Sequence, residues 1–299
     1  MKIFIAGGTG LIGSLLVKDL LSKNHEISIL SRNKKKVEKQ WEGKVKAIEG
    51  NVTQSGSWQV ELNGQDAVIN LVGENIMKKR WTKKRKQVLY DSRIESTKNL
   101  VTAVQKATEK PTIFISVSGA DYYPTDMDKV FNEEDDPGTS FLSKVCADWE
   151  APLSGLEGVR ITIFRFAVAF SHSGKTAELM FIPHKLFAGG WVGSGKQPLM
   201  VIHMEDMVGS ILWALENDVE GIFNSACPEM LRFKEVAKIG GKILHRWTWT
   251  WMPGIILKVV LGKRADTLLK GRFISTEKIQ QAGYAYKYKT VKDILEDVL

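Results

Sequence analysis

Residues 1 to 13 read MKIFIAGGTGLIG and combine three local patterns. Lys2 to Ala6 is a short apolar run typical of a buried strand, and Gly7 to Gly10 form a glycine-rich turn. The apolar residues that follow recur at helical spacing: Leu11, Ile12, Leu15, Leu16 and Leu20. The segment therefore predicts a strand, a tight turn and a helix.

The glycines of this turn have the spacing of a dinucleotide-binding motif. Gly8, Gly10 and Gly13 satisfy G-x-G-x-x-G, and Gly7, Gly10 and Gly13 satisfy a related variant. Because the turn follows a strand and opens a helix, its bare amides and the helix N-terminus would face a pyrophosphate. A glycine-rich turn without a ligand is the alternative.

Downstream, apolar runs alternate with helical patterns. The predicted strands are 26–30, 45–49, 67–72, 112–117 and 160–166, and the predicted helices are 83–108 and 143–153. This alternation predicts an α/β fold, a Rossmann-like doubly wound parallel sheet with a smaller C-terminal substrate lobe. We expect residues 1–170 to form the nucleotide-binding domain, with about 196–226 returning to it, and 171–299 to form the substrate lobe and C-terminal region.

The C-terminal part is richer in glycine and aromatic residues. Residues 188–195 are typical of loops around a pocket. Trp247, Trp249 and Trp251 alternate at strand spacing, and we predict that they pack in a core, with a binding platform as the alternative.

Composition narrows the class of protein. The chain has 299 residues, is 43% hydrophobic and contains two cysteines, Cys146 and Cys227, whose spacing matches no metal or redox motif. No metal site is expected. The opening residues lack a signal peptide, and no apolar run is long enough to span a membrane, so we expect a cytoplasmic protein.

The net charge of +8 permits nucleic-acid or anionic-lipid surfaces. The basic runs 34–36 and 78–86 fall where a nucleotide phosphate could sit in the predicted fold. Nucleic-acid binding is therefore the weaker interpretation, and no nucleic-acid partner is expected.

The residues after the second predicted strand indicate the cofactor. NAD-specific folds carry an acid about 20 residues beyond the glycines, and none stands there. Ser31 and Arg32, with lysines 34–36 behind them, instead suit a 2′-phosphate. The sequence predicts NADP(H), against the alternative of an ordinary basic turn.

Several motifs together resemble a known family, the extended, atypical short-chain dehydrogenase/reductases related to NAD(P)-dependent epimerases and dehydratases. More narrowly, the chain resembles their uncharacterised epimerase-family branch, which has its own C-terminal domain of unknown function. The matching motifs are GGTGLIG (7–13), NLVGE (70–74), KRWT (79–82), SR (92–93) and IHMED (202–206).

The resemblance implies a set of cofactor-binding residues. They are Gly7, Gly10, Leu11 and Ile12 at the pyrophosphate, Ser31 and Arg32 at the 2′-phosphate, Asn51 and Val52 at the adenine, Leu71, Val72 and Gly73 at the nicotinamide-side ribose, Arg93 reaching back to the cofactor from the following helix, and Ala169 near the nicotinamide. Most would act through backbone groups, whereas the two arginines would act through their side chains.

The usual Tyr-x-x-x-Lys pair of that family is missing. Its positions fall on Leu142 and Cys146, or in a shifted register on Phe141 and Val145, and Lys144 has no tyrosine four residues before it. The candidate catalytic residues are then Ser118 and Tyr123, with packing as the alternative role for the tyrosine. The pattern around His203 fits a structural histidine.

Two functions follow from these observations. The first is an NADP(H)-dependent oxidoreductase or epimerase-like enzyme acting on an unidentified small polar substrate, without the usual tyrosine and lysine. The alternative is a non-catalytic NADP(H)-binding redox sensor or regulatory protein, which the missing pair favours.

Overall fold

The computed structural model describes residues 1–299. Its β-strands are β1 Lys2–Ala6, β2 Glu26–Ser31, β3 Lys46–Glu49, β4 Ala67–Asn70, β5 Ile113–Gly119, β6 Val130–Phe131, β7 Arg160–Phe166, β8 Val168–Phe170, β9 Gly190–Val192, β10 Val201–His203, β11 Gly221–Ser225, β12 Thr250–Met252 and β13 Phe273–Ile274. Its α-helices are α1 Leu11–Ser22, α2 Lys34–Trp41, α3 Lys83–Lys106, α4 Phe141–Glu150, α5 Lys175–Lys185, α6 Met204–Glu216, α7 Phe233–Ile243, α8 Gly254–Leu261, α9 Asp266–Leu269, α10 Glu277–Gln281 and α11 Val291–Val298.

Seven strands form one parallel sheet in the order β3-β2-β1-β4-β5-β7-β11. The chain first runs outward from β1 to β3 and then returns to the other side of β1 at β4. The strand order therefore reverses between β1 and β4, where ligands bind beyond the carboxyl ends of such strands. The predicted doubly wound parallel sheet is confirmed, and the five predicted downstream strands are present as β2, β3, β4, β5 and β7.

Helices cover both faces of this sheet. Successive side chains of a strand point to opposite faces, and the apolar side chains on each face are buried by a layer of helices. In β1, Ile3 and Ile5 belong to the larger core, which includes residues of α1 and α6. Phe4 and Ala6 belong to a second core, which includes residues of α3. The alternation therefore determines that a layer of helices packs on each face of the sheet. The helices do not cover the edge formed by the carboxyl ends of the strands, where a site can lie.

The C-terminal part adds short parallel pairs rather than a second large sheet. These pairs are β10 with β8, β12 with β9, and β13 with β6. A third apolar core lies among α5, α7 and α11. None of the helices combines the length and apolar character that crossing a bilayer requires.

The prediction that the three tryptophans pack in a core was wrong. Trp247, Trp249 and Trp251 are 86%, 68% and 58% exposed. Alternation requires a covering layer before it leads to burial, and β12 is a three-residue strand paired on one side only, with β9. The indole N–H of Trp249 donates to the Phe187 carbonyl at 3.2 Å, so its polar atom is satisfied while its ring stays at the surface.

Candidate functional site

The glycine turn packs tightly against the protein at Gly7 and Gly13 and is unobstructed at Gly10. Gly7 has φ +92°, and a Cβ there would lie 2.9 Å from the Leu71 carbonyl carbon. A Cβ on Gly13 would lie 2.3 Å from the Gly7 oxygen. At Gly10 the one nearby atom is the same oxygen, at 3.2 Å. The lack of a side chain at Gly7 and Gly13 therefore allows the turn to pack closely against Leu71 and the start of α1. The lack of a side chain at Gly10 leaves the backbone there accessible to a ligand.

The N-terminus of α1 has features that favour binding of an anion. Its N-cap, Gly10, has no side chain, and its first turn contains no acid. The amides of Leu11, Ile12 and Gly13 have no acceptor in the chain, since the first amide bond at this helix end is that of Ser14 to Gly10. Free amides at the positive end of a helix dipole bind phosphate groups well. These residues fit a dinucleotide's diphosphate.

The carboxyl end of β2 presents a free cation. Arg32 is exposed and makes no ion pair. The hydroxyl of Ser31 accepts from the Asn33 amide at 3.1 Å, and the Asn33 side chain caps α2. Arg32 is therefore held at the start of a helix, where a second anionic group would be stabilised.

The segment after β3 lies beside this end of β2. The amide of Gly50 donates to the Ser31 carbonyl at 3.0 Å, and the Val52 carbonyl accepts from the Asn99 side chain at 3.0 Å. The Asn51 carboxamide oxygen accepts from Thr53. Asn51 and Val52 are half-buried and directly follow Gly50, which is bonded to Ser31.

Across the switch point, Arg93 lies against the end of β4. Its guanidinium donates to the carbonyls of Glu74 at 3.2 Å and Leu89 at 3.1 Å. It also lies over the Trp149 ring, 5.0 Å from the centroid, and burial lowers its pKa. A Cβ on Gly73 would come within 3.1 Å of it, so this glycine makes room for the cation.

The predicted catalytic side chains belong to a buried polar network. The Ser118 hydroxyl donates to Glu150 Oε1 at 2.6 Å, and Glu150 is paired with Arg165 at 2.7 Å. Tyr123 accepts from Arg165 Nη1 and donates to Asn224 Oδ1, both at 2.8 Å. Although burial opposes it, the hydrogen bonds and charge of Glu150 hold the pKa of Arg165 above its usual value.

Tyr123 is fully buried, and burial raises its pKa to about 12. Its hydroxyl is a neutral group held inside the protein, which favours the packing alternative. The catalytic assignment of Ser118 and Tyr123 stays a prediction.

Sequence reasoning missed Arg165, which holds this network together. The available signal was an arginine within the otherwise apolar strand RITIFRF, since a buried charge requires a partner. That partner, Glu150, ends α4.

The positions of the missing tyrosine and lysine are also filled by buried side chains. Leu142 is apolar, and burial raises the pKa of Cys146 to about 12, so its thiol stays neutral. Lys144 lies on the exposed face of α4, 2.9 Å from Asp148. None of these side chains presents a cation to the Ser118 hydroxyl.

The remaining predicted residues have clear structural surroundings. Ala169 lies in β8, just beyond the end of β7, and pairs with Ile202. His203 caps α6 by accepting from the Glu205 amide, contacts Asp297 of α11 at 3.1 Å, and has a pKa lowered by burial. This is the structural role predicted for it.

A Rossmann-like sheet with a glycine-rich turn and unbonded helix amides at its switch point is typical of a dinucleotide-binding protein. The chain belongs to the NAD dependent epimerase/dehydratase family, whose model matches residues 3–226. A model for a domain of unknown function, DUF1731, matches residues 252–298.

Individual relatives agree with this membership. The epimerase family protein SDR39U1 homolog, chloroplastic, from Arabidopsis thaliana is 33% identical over all of this chain and 87% of its own length. The human epimerase family protein SDR39U1, solved with NADPH, has a TM-score of 0.88 and 29% identity over 100% of this chain and 99% of its own. A UDP-glucuronic acid 4-epimerase from Bacillus cereus, at 16% identity, 98% coverage of its chain and a TM-score of 0.79, is similar in fold.

Proposed function

We propose that this protein is an NADP(H)-dependent oxidoreductase that reduces a small polar carbonyl substrate. The observation that carries the cofactor proposal is the pairing of two anion sites at the switch point. One is formed by the free amides of Leu11, Ile12 and Gly13, and the other by the unpaired Arg32. A dinucleotide with a 2′-phosphate carries anionic groups for both. The NADPH complex of the human relative supports this choice.

The protein's own residues would hold the cofactor at defined points. The turn at Gly10 and the N-terminus of α1 bind its diphosphate, and Arg32 pairs with the 2′-phosphate. Arg93 would reach toward the cofactor from α3, and its guanidinium is already fixed by two carbonyls. When bound, the cofactor supplies a hydride for transfer to carbon.

The buried hydroxyls decide the direction and speed of the chemistry. Tyr123, with its raised pKa, is a proton donor at neutral pH and not a base. Reduction of a carbonyl requires an acid, whereas oxidation of an alcohol requires a base. Because the Ser118 and Tyr123 hydroxyls are both engaged in the protein, reduction requires their release and is expected to be slow.

We expect single-turnover oxidation of bound NADPH with one or more members of a panel of small carbonyl compounds and nucleotide-linked keto sugars. Ser118→Ala and Tyr123→Phe should slow it, because each removes a candidate proton donor. Lys144→Ala is the control, since Lys144 pairs with Asp148 at the surface and should not matter. The measurement is the loss of NADPH absorbance in a stopped-flow instrument.

A reaction stopped by Lys144→Ala alone would reveal a concealed tyrosine and lysine relay and contradict the assignment. If no carbonyl is reduced at any pH, the non-catalytic redox sensor replaces the enzyme. One observation favours that second function: both candidate hydroxyls are held by protein partners.

A further inference from the structure

The surface of the C-terminal part contains an unusual concentration of apolar side chains. Twelve of the twenty exposed large apolar side chains lie in residues 179–187 and 247–260. The two segments meet, because Trp249 donates to the Phe187 carbonyl and the Arg246 guanidinium lies 4.3 Å from the centroid of the Phe187 ring. We call the exposed apolar surface of these two segments the tryptophan face.

Helix α8 extends this face outward. Of its apolar residues, Leu257 is the buried one, whereas Ile255 and Val259 are 73% and 72% exposed. A helix with apolar side chains pointing at water lacks a partner, since soluble proteins rarely expose patches beyond a few hundred Å², as an order of magnitude.

The charged residues in and around the second segment of the tryptophan face are all basic. No aspartate or glutamate occurs in residues 236–265, and the chain there contains six cations: Lys238, Lys242, Arg246, Lys258, Lys263 and Arg264. Lys242, Lys258 and Lys263 are exposed and make no ion pair. The second segment therefore places cations beside the apolar surface, and no carboxylate within residues 236–265 neutralises them.

We propose that the tryptophan face binds the surface of an anionic phospholipid bilayer. Tryptophan and apolar side chains enter the boundary between headgroups and acyl chains, while lysines extend to the phosphates. The negative surface potential of such a membrane attracts the unpaired cations. The protein would lie on the membrane rather than span it, in agreement with its lack of a spanning helix.

The charges disfavour a second copy of the chain as the partner. A two-fold interface brings the same surface of both copies together. Here it would bring Lys258 and Lys263 of each copy close to those of the other, with no acid in the segment to compensate. A lipid surface supplies the missing anions.

The test is sedimentation of the full chain with vesicles of phosphatidylcholine alone or of equal parts phosphatidylcholine and phosphatidylglycerol. We expect binding to the mixed vesicles that is about tenfold or more stronger than to the neutral ones, and weaker at high salt. Tryptophan fluorescence should shift to the blue on binding. Brominated acyl chains should quench it.

Two double variants separate the contribution of the apolar side chains from that of the cations. Ile255→Asp with Val259→Asp should remove binding, and Lys258→Glu with Lys263→Glu should reduce it to the level of neutral vesicles. The matched controls are Val60→Asp and Lys44→Glu, at an exposed apolar and an exposed basic residue outside the face. Circular dichroism and NADPH binding report whether each variant is folded.

Three results would overturn the proposal. One is failure of the wild type to sediment with anionic vesicles, and another is equal binding by folded face variants and controls. The third is a dimer in solution that Ile255→Asp with Val259→Asp dissociates, which would assign the face to a second copy.

Discussion

Gly10→Val should abolish dinucleotide binding while the protein stays folded. Gly10 has φ −79° and ψ 178°, an extended conformation that valine adopts without strain. A Cβ there meets one protein atom, the Gly7 oxygen at 3.2 Å, so the protein needs only a small adjustment. The rest of the side chain would stand on the open side of the turn, where the diphosphate approaches the backbone.

Gly13→Ala is the matched comparison because its expected effect is the opposite. The new Cβ would lie 2.3 Å from the Gly7 oxygen and 2.7 Å from the Gly8 Cα, which forces α1 away from the turn. The expected loss of stability is at least about 1 to 3 kcal/mol. Thermal unfolding and NADPH titration of both variants distinguish the two roles. Normal NADPH binding by Gly10→Val would show that the phosphate turn has been misassigned.

Glu150→Ala should be among the most destabilising single substitutions in the chain. It leaves the Arg165 guanidinium buried without a counter-charge and frees the Ser118 hydroxyl. Breaking such a pair costs about 3 to 5 kcal/mol, which lowers the melting temperature on the order of 10 °C. Denaturation by urea and by heat measures both quantities.

The control for this prediction is Lys144→Ala, four residues before Asp148 on the same helix. The pair that it breaks is exposed and worth about 0.3 to 0.5 kcal/mol. If Glu150→Ala were as stable as Lys144→Ala, the buried network would not anchor α4 against the ends of β5 and β7.

The sequence predicted the central sheet because its strands are long enough to have a pattern. The strands β2, β5 and β7 have six or seven residues each, and β2 and β5 end at polar or glycine-containing connections. The strands β6, β8, β12 and their partners have only two or three residues each. Such a strand is too short for an alternating pattern to be recognised in the sequence. Their existence depends on contacts between distant parts of the chain.

The part of the site that is formed by one continuous stretch of backbone could be predicted from the sequence. The glycine spacing indicated the turn, and the bare amides of α1 follow from it. Arg165 and Glu150 come from different elements, and their pairing depends on how α4 packs on the sheet. The tryptophans show the same limit, because alternation says which side chains share a face but not whether another layer covers it.

Titration of the full chain with NADPH and with NADH, followed by quenching of tryptophan fluorescence, measures whether the protein prefers the cofactor that carries a 2′-phosphate. We expect NADPH to bind about tenfold to hundredfold more tightly, since one charge-assisted contact contributes about 1.5 to 3 kcal/mol. Arg32→Ala should remove this preference by weakening NADPH alone, while Lys44→Ala leaves it unchanged. Equal affinity of the wild type for the two cofactors, or an unaltered preference in Arg32→Ala, would show that Arg32 does not bind a 2′-phosphate.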